Sequence, residues 1–167
     1  MDTRKQITTW VDTNREDLIE TANEIFKHPE ISLEEKVSSK ILADYLEKQG
    51  FTVTWGIAGF ETAFVAEWGY GKPVLGFLAE YDALPGLGQE TCSTRKAIEG
   101  PGHGCGHNLL GTACAGAAGA LKSWMETEEK EGTIRVYGCP AEEIVIGKIR
   151  MNEAGVFDDL SAAITWH

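Results

Sequence analysis

Apolar residues recur at Ile7, Trp10, Val11, Leu18, Ile19, Ala22, Ile25 and Phe26, a spacing that predicts one amphipathic helix over 4–27 with a single buried stripe. His28-Pro29 ends it, because proline disfavours helical geometry in the residue before it. A second helix is expected to open at Ser32, with Glu35 completing a capping box. Its stripe is Leu42, Ala43, Tyr45 and Leu46, and Gly50 supplies the terminating position. The period then falls to two: 51–55 and 62–68 alternate as strands do. The continuous apolar run 74–79 suits a central strand covered on both faces. An alanine-rich helix is expected over 107–124, a strand over 133–137, a short helix over 148–154 ended by Gly155, and a last core strand over 162–166.

Strands alternating with helices imply an α/β fold, a central sheet flanked by helices with reactive residues at the carboxyl ends of its strands. At 167 residues the chain suits one domain. Its net charge of −11 argues against nucleic acid as a partner, since phosphate binding needs clustered Lys and Arg. No apolar run approaches the roughly 20 residues needed to span a bilayer, so no membrane role is expected. The polar start, Met1 to Gln6, does not read as an export signal, and the four cysteines then point to a reducing, cytoplasmic setting. No Cys-x-x-Cys pair exists, which weighs against thiol redox chemistry between Cys105 and Cys92, Cys114 or Cys139. The acidic run 126–131 reads as a solvated helix end.

Three segments could carry chemistry. In Gly102-His103-Gly104-Cys105-Gly106-His107-Asn108, glycines let the backbone fold tightly around an ion, and thiolate with imidazole suits zinc. The expected helix start there favours a thiolate. Glu142 and Glu143 follow a predicted strand, so one can bind a metal while the other faces a substrate as general base; taken alone, adjacent glutamates are more often a solvated loop. In Ala79-Glu80-Tyr81-Asp82, an acidic residue at a strand end can orient a metal-bound histidine, or simply cap a turn. His167 follows the last strand, and a natural domain seldom finishes there, so a truncated chain is expected.

These pieces, in this order, resemble the amidohydrolase branch of the two-metal aminoacylase and carboxypeptidase family, and within it the aminobenzoyl-glutamate hydrolase type. The likeness rests on 80–84, 102–112, 137–140 and 155–159. It implies that residues 1–167 form the amino-terminal portion of a zinc-peptidase-like catalytic domain with a mixed sheet. A dimerisation (lid) domain and the carboxyl-terminal part of the catalytic domain would lie outside it. By the same resemblance Cys105, His107, Glu143 and His167 are metal ligands, Glu142 is the general base, and Asp82 supports the metal shell. Two divalent ions, zinc or manganese, would activate a water that attacks the amide of a small N-acyl amino acid substrate such as aminobenzoyl-glutamate. The full-length protein would be a homodimer or hetero-oligomer, and the 167-residue chain alone is expected to be inactive. Asn108 stands where many relatives carry Asp, and Ile144-Val145-Ile146 is bulkier than the family pattern, which could reshape the site near the two glutamates. The alternative is a non-catalytic metal-binding or interaction fragment.

Overall fold

The computed structural model describes residues 2–167; Met1, the first residue of the polar amino terminus, lies outside them. Among the described residues, five helices and five strands follow in the order α1 (Thr3–Thr13), α2 (Arg15–Lys27), α3 (Lys36–Lys48), β1 (Thr52–Trp55), β2 (Phe64–Tyr70), β3 (Val74–Glu80), α4 (His107–Thr127), β4 (Gly132–Cys139), α5 (Gly147–Glu153) and β5 (Ala162–Ile164). The sheet order is β1-β2-β4-β3-β5. β1 and β4 each pair antiparallel with β2, whereas β3 runs parallel to both β4 and β5. The sheet is therefore mixed, as expected.

The apolar run in β3 follows from its place. It is flanked by β4 and β5, and Phe77 and Ala79 are buried. On one face Leu42, Leu46, Ala115 and Ala118 from α3 and α4 pack with Phe64, Ala66, Ile134 and Val136 of the sheet. On the other, Tyr137, Cys139 and Met151 pack with Val65, Leu78, Phe157 and Leu160. Burial of such side chains supplies the main stabilisation, roughly 1.5–3 kcal/mol for each large one.

Local chemistry departs from the expected elements in three places. The first helical stretch is two helices, because Asn14 leaves helical geometry at φ −96° and ψ 12° while its side-chain Nδ2 donates to Trp10 O at 2.8 Å and caps α1. α3 begins at Lys36, not Ser32. The capping box does not form: Glu35 turns its carboxylate inward, and the Ser32 hydroxyl donates to Asp82 Oδ2 at 2.7 Å. The last strand is short and not a core strand. Its three residues are exposed, because β5 is at the sheet edge with only β3 beside it.

α4 crosses the carboxyl end of β3 at Gly111, where an added Cβ would lie 2.4 Å from Glu80 O. Only glycine allows that approach. Gly111→Ala is expected to cost about 1–3 kcal/mol in urea denaturation, because helix and strand must separate at the turn that carries His107.

Candidate metal centre

β3, β4 and β5 are mutually aligned, and their carboxyl ends deliver the polar residues to one place. Glu80 ends β3 and pairs in register with Cys139, the last residue of β4. Asp82 follows β3, Glu142 and Glu143 follow β4, and His167 follows β5. α4 opens on His107 after Gly106, whose left-handed φ of 82° turns the chain into the helix. Such a crevice at strand ends is where open α/β sheets bind ligands.

His107 is the centre of the arrangement and is fully buried. Its Nδ1 lies 2.9 Å from Asp82 Oδ1 and 3.0 Å from the Asp82 carbonyl oxygen. A carboxylate only accepts, so Nδ1 carries the proton and the Nε2 lone pair is left free. Nε2 stands 3.2 Å from Glu80 Oε2, 3.2 Å from His167 Nε2 and 3.6 Å from Glu142 Oε2. His167 Nε2 is in turn 3.6 Å from Glu142 Oε2 and 3.7 Å from Glu80 Oε2. Donors about 2.0–2.1 Å from a tetrahedral zinc ion lie about 3.3 Å apart, so these spacings fit a shared cation. Within this group Glu80 Oε2 is buried with no hydrogen-bond partner, which points to the same conclusion; Glu143 Oε1, also buried and unpaired, lies on the Nδ1 side of His107.

Two donor sets stay within 4.8 Å: Glu80, His107, Glu142 and His167, and Cys105, His107 and His167. They share both histidines. One imidazole nitrogen binds one ion, so the sets are alternative first sites rather than two filled at once.

Sequence reasoning brought most of these residues together but divided them differently. Glu142, assigned there as the base, has its oxygen in the donor set. Glu143, assigned as a ligand, lies with Oε1 3.9 Å from His107 Nδ1 and donates its N–H to Asp82 Oδ2 at 3.0 Å. His103 is turned away, with Nε2 3.2 Å from Ile25 O. Asn108 donates to Ala22 O at 3.2 Å and braces α4 on α2. Ile144 and Val145 are exposed rather than packed among the carboxylates. Glu80 and its ion-pair partner Lys148 were missed. Strand periodicity held the signal, since Glu80 and Asp82, two apart at a strand end, leave the backbone on the same side.

The electrostatics follow from burial and crowding. Burial pushes the Asp82 carboxyl up, but hydrogen bonds from His107, the Glu143 N–H and Ser32 outweigh it and hold it below the ordinary value. Burial pulls His107 down, yet its bond to Asp82 and the charges of Asp82, Glu80 and Glu143 leave it raised. Burial, with Asp82 and Glu142 nearby, raises Glu143. The Cys105 thiol, although exposed, is raised by partial desolvation and by the charges of Glu143, Glu142 and Glu80.

All four thiols are free, Cys92 and Cys105 exposed, Cys114 and Cys139 buried. Burial pushes Cys114 up to about 11 and Cys139 higher still. Alkylation of the native chain is therefore expected at Cys92 and Cys105 only, with zinc protecting Cys105. Because the raised Cys105 thiol must lose a proton to bind, zinc affinity should rise with pH. Mass spectrometry of the alkylated chain at two pH values checks both; equal labelling of Cys105 with and without zinc would contradict its place in the centre.

Residues 76–167 match peptidase family M20/M25/M40. The chain is 48% identical over 160 residues to one of the subunits of the p-aminobenzoyl-glutamate hydrolase of Escherichia coli (strain K12), covering 94% of this chain and 33% of that protein. It is 30% identical over 152 residues to the N-acetylcysteine deacetylase of Bacillus subtilis (strain 168), covering 90% of this chain and 39% of the other. A Bacillus subtilis dinuclear metal binding peptidase from the M20 family superposes with a TM-score of 0.76 at 28% identity, over 91% of this chain and 42% of that one. The chain thus spans roughly a third of the length of the curated relatives it matches.

Proposed function

Because this chain belongs to peptidase family M20/M25/M40, we propose that it forms the amino-terminal portion of the catalytic domain of a metal-dependent amidohydrolase. The observation that carries this reading is the free Nε2 of His107, fixed by Asp82 and facing Glu80, Glu142 and His167 at cation spacing. The likeness to a p-aminobenzoyl-glutamate hydrolase makes aminobenzoyl-glutamate the first substrate to try, within the wider class of N-acyl amino acids.

In this reading His107, His167 and Glu80 hold a divalent ion, and Cys105 and Glu143 are the donors toward a second, completed by residues beyond this chain. Thiolate and imidazole together favour zinc, with manganese the alternative. A bound ion would lower the pKa of water and polarise the amide carbonyl. Glu142 takes the proton from that water and returns it to the departing amine, so the amide and one water become a carboxylic acid and an amine. Asp82 holds His107 in the tautomer that keeps Nε2 available. A lid or dimerisation domain and the rest of the catalytic domain would complete the protein, as a homodimer or as part of a hetero-oligomer. Among the described residues no helix is long and apolar enough to cross a membrane. A cytoplasmic setting, where free thiols persist, belongs to the same reading.

The test is release of aminobenzoate and glutamate from aminobenzoyl-glutamate by the full-length protein loaded with zinc or manganese. Hydrolysis dependent on the metal and absent from the 167-residue chain is expected. A folded full-length protein that leaves this substrate and short N-acyl amino acids intact with either metal would refute the reading.

A further inference from the structure

Glu35 is a fully buried carboxylate with no salt bridge among the described residues. Its Oε1 accepts the N–H of Leu33 at 2.9 Å and of Ala141 at 2.8 Å, and its Oε2 accepts from Thr62 Oγ1 at 3.2 Å. Both amides belong to non-glycine residues with left-handed backbones, Leu33 at φ 73° and Ala141 at φ 55°. That conformation is unfavourable for a residue with a Cβ and persists only where surroundings impose it. Ala141 immediately precedes Glu142, and its carbonyl accepts the Ile146 N–H at 3.2 Å, closing the turn that presents both glutamates. Nearby, Ser32 and the Glu143 N–H meet on Asp82 Oδ2. The loop before α3 thus touches the Glu142–Glu143 turn and the carboxylate that holds His107.

We propose that Glu35 is a positioning residue: by accepting the Ala141 N–H it locks the left-handed turn that aims Glu142 and Glu143 at His107. An apolar residue of similar size would fill the same space but leave the Ala141 N–H buried and unpaired. The acceptor, not the charge, is what the turn requires, so glutamine substitutes for glutamate. The role rests on reading Glu142 and Glu143 as residues of the metal centre.

The test compares Glu35→Met and Glu35→Gln with the wild-type chain by hydrogen exchange of the 141–147 amides and by binding of cobalt(II), read from its visible spectrum. Glu35→Met, with an unchanged far-ultraviolet dichroism spectrum, is expected to exchange in this turn about tenfold faster and to bind cobalt about tenfold more weakly with a shifted spectrum. Glu35→Gln should match the wild type in both. Unchanged exchange in Glu35→Met, or a loss in Glu35→Gln equal to that in Glu35→Met, would overturn the proposal. Should Glu35→Met fail to fold, Glu35→Asp, one methylene shorter and unable to reach both amides, decides the same comparison. If the wild-type chain gives no cobalt spectrum while Glu35→Met still loosens the turn, the metal-centre reading fails and the hold of Glu35 on the turn stands.

Discussion

Glu142→Gln is expected to slow turnover of the complete protein by about 10²- to 10⁴-fold while the metal remains bound. The amide keeps the size of the carboxylate and can still lie beside the two histidines, but it cannot take a proton from water. The geometry makes this substitution decisive between two roles. Glu142 Oε2 sits 3.6 Å from Nε2 of both His107 and His167, where it can be a fourth ligand or can face a water held among the same donors. Metal content by elemental analysis separates the roles: activity lost with metal retained makes Glu142 the base. Metal lost together with activity makes it a ligand, and moves the base to Glu143.

The second large effect is expected at Asp82. Its carboxylate accepts from His107 Nδ1, Ser32 Oγ and the Glu143 N–H. Asp82→Leu leaves the Glu143 N–H unpaired and the imidazole N–H with only the residue-82 carbonyl, 3.0 Å from Nδ1, which should cost about 1–3 kcal/mol in denaturant unfolding of the metal-free chain. Held by the residue-82 carbonyl alone, without the carboxylate, His107 should also bind zinc about 10–100-fold more weakly. The pH dependence has a definite sign. Asp82 titrates below its ordinary value in the folded chain, so its stabilisation is present above the unfolded carboxyl value of about 3.9 and is lost as pH falls through the lowered folded value. Unfolding of Asp82→Leu followed from neutral to acid pH should lack this part of the acid limb. A variant as stable as wild type, with the same acid profile and zinc affinity, would show that His107 is oriented by something else.

Much of the architecture was legible because it rests on local periodicity. The continuous apolar run of β3 and the alanine-rich α4 carry their burial in their own spacing, and both formed close to the expected bounds. The break at Asn14 was not legible, since helical periodicity runs through it and the break comes from Asn14 bonding back to Trp10 O. Ser32 and Glu35 matched a capping box in type and spacing. Their side chains instead found partners 50 and 106 positions away, at Asp82 and Ala141.

Strand–helix alternation, the glycine-flanked Cys105 and His107 at a helix start, and the paired glutamates after β4 can all be read from the order of residues. Each depends on neighbours along the chain, whose directions strand and helix geometry set. Packing of the folded chain is what brings Glu80 into the donor set, pairs it with Lys148, turns Glu142 rather than Glu143 toward both histidines and turns His103 away. Those outcomes depend on which strand ends lie side by side and on how a left-handed turn at Ala141 points the next two side chains. Contacts between distant segments and a single backbone angle leave no period in the sequence to read.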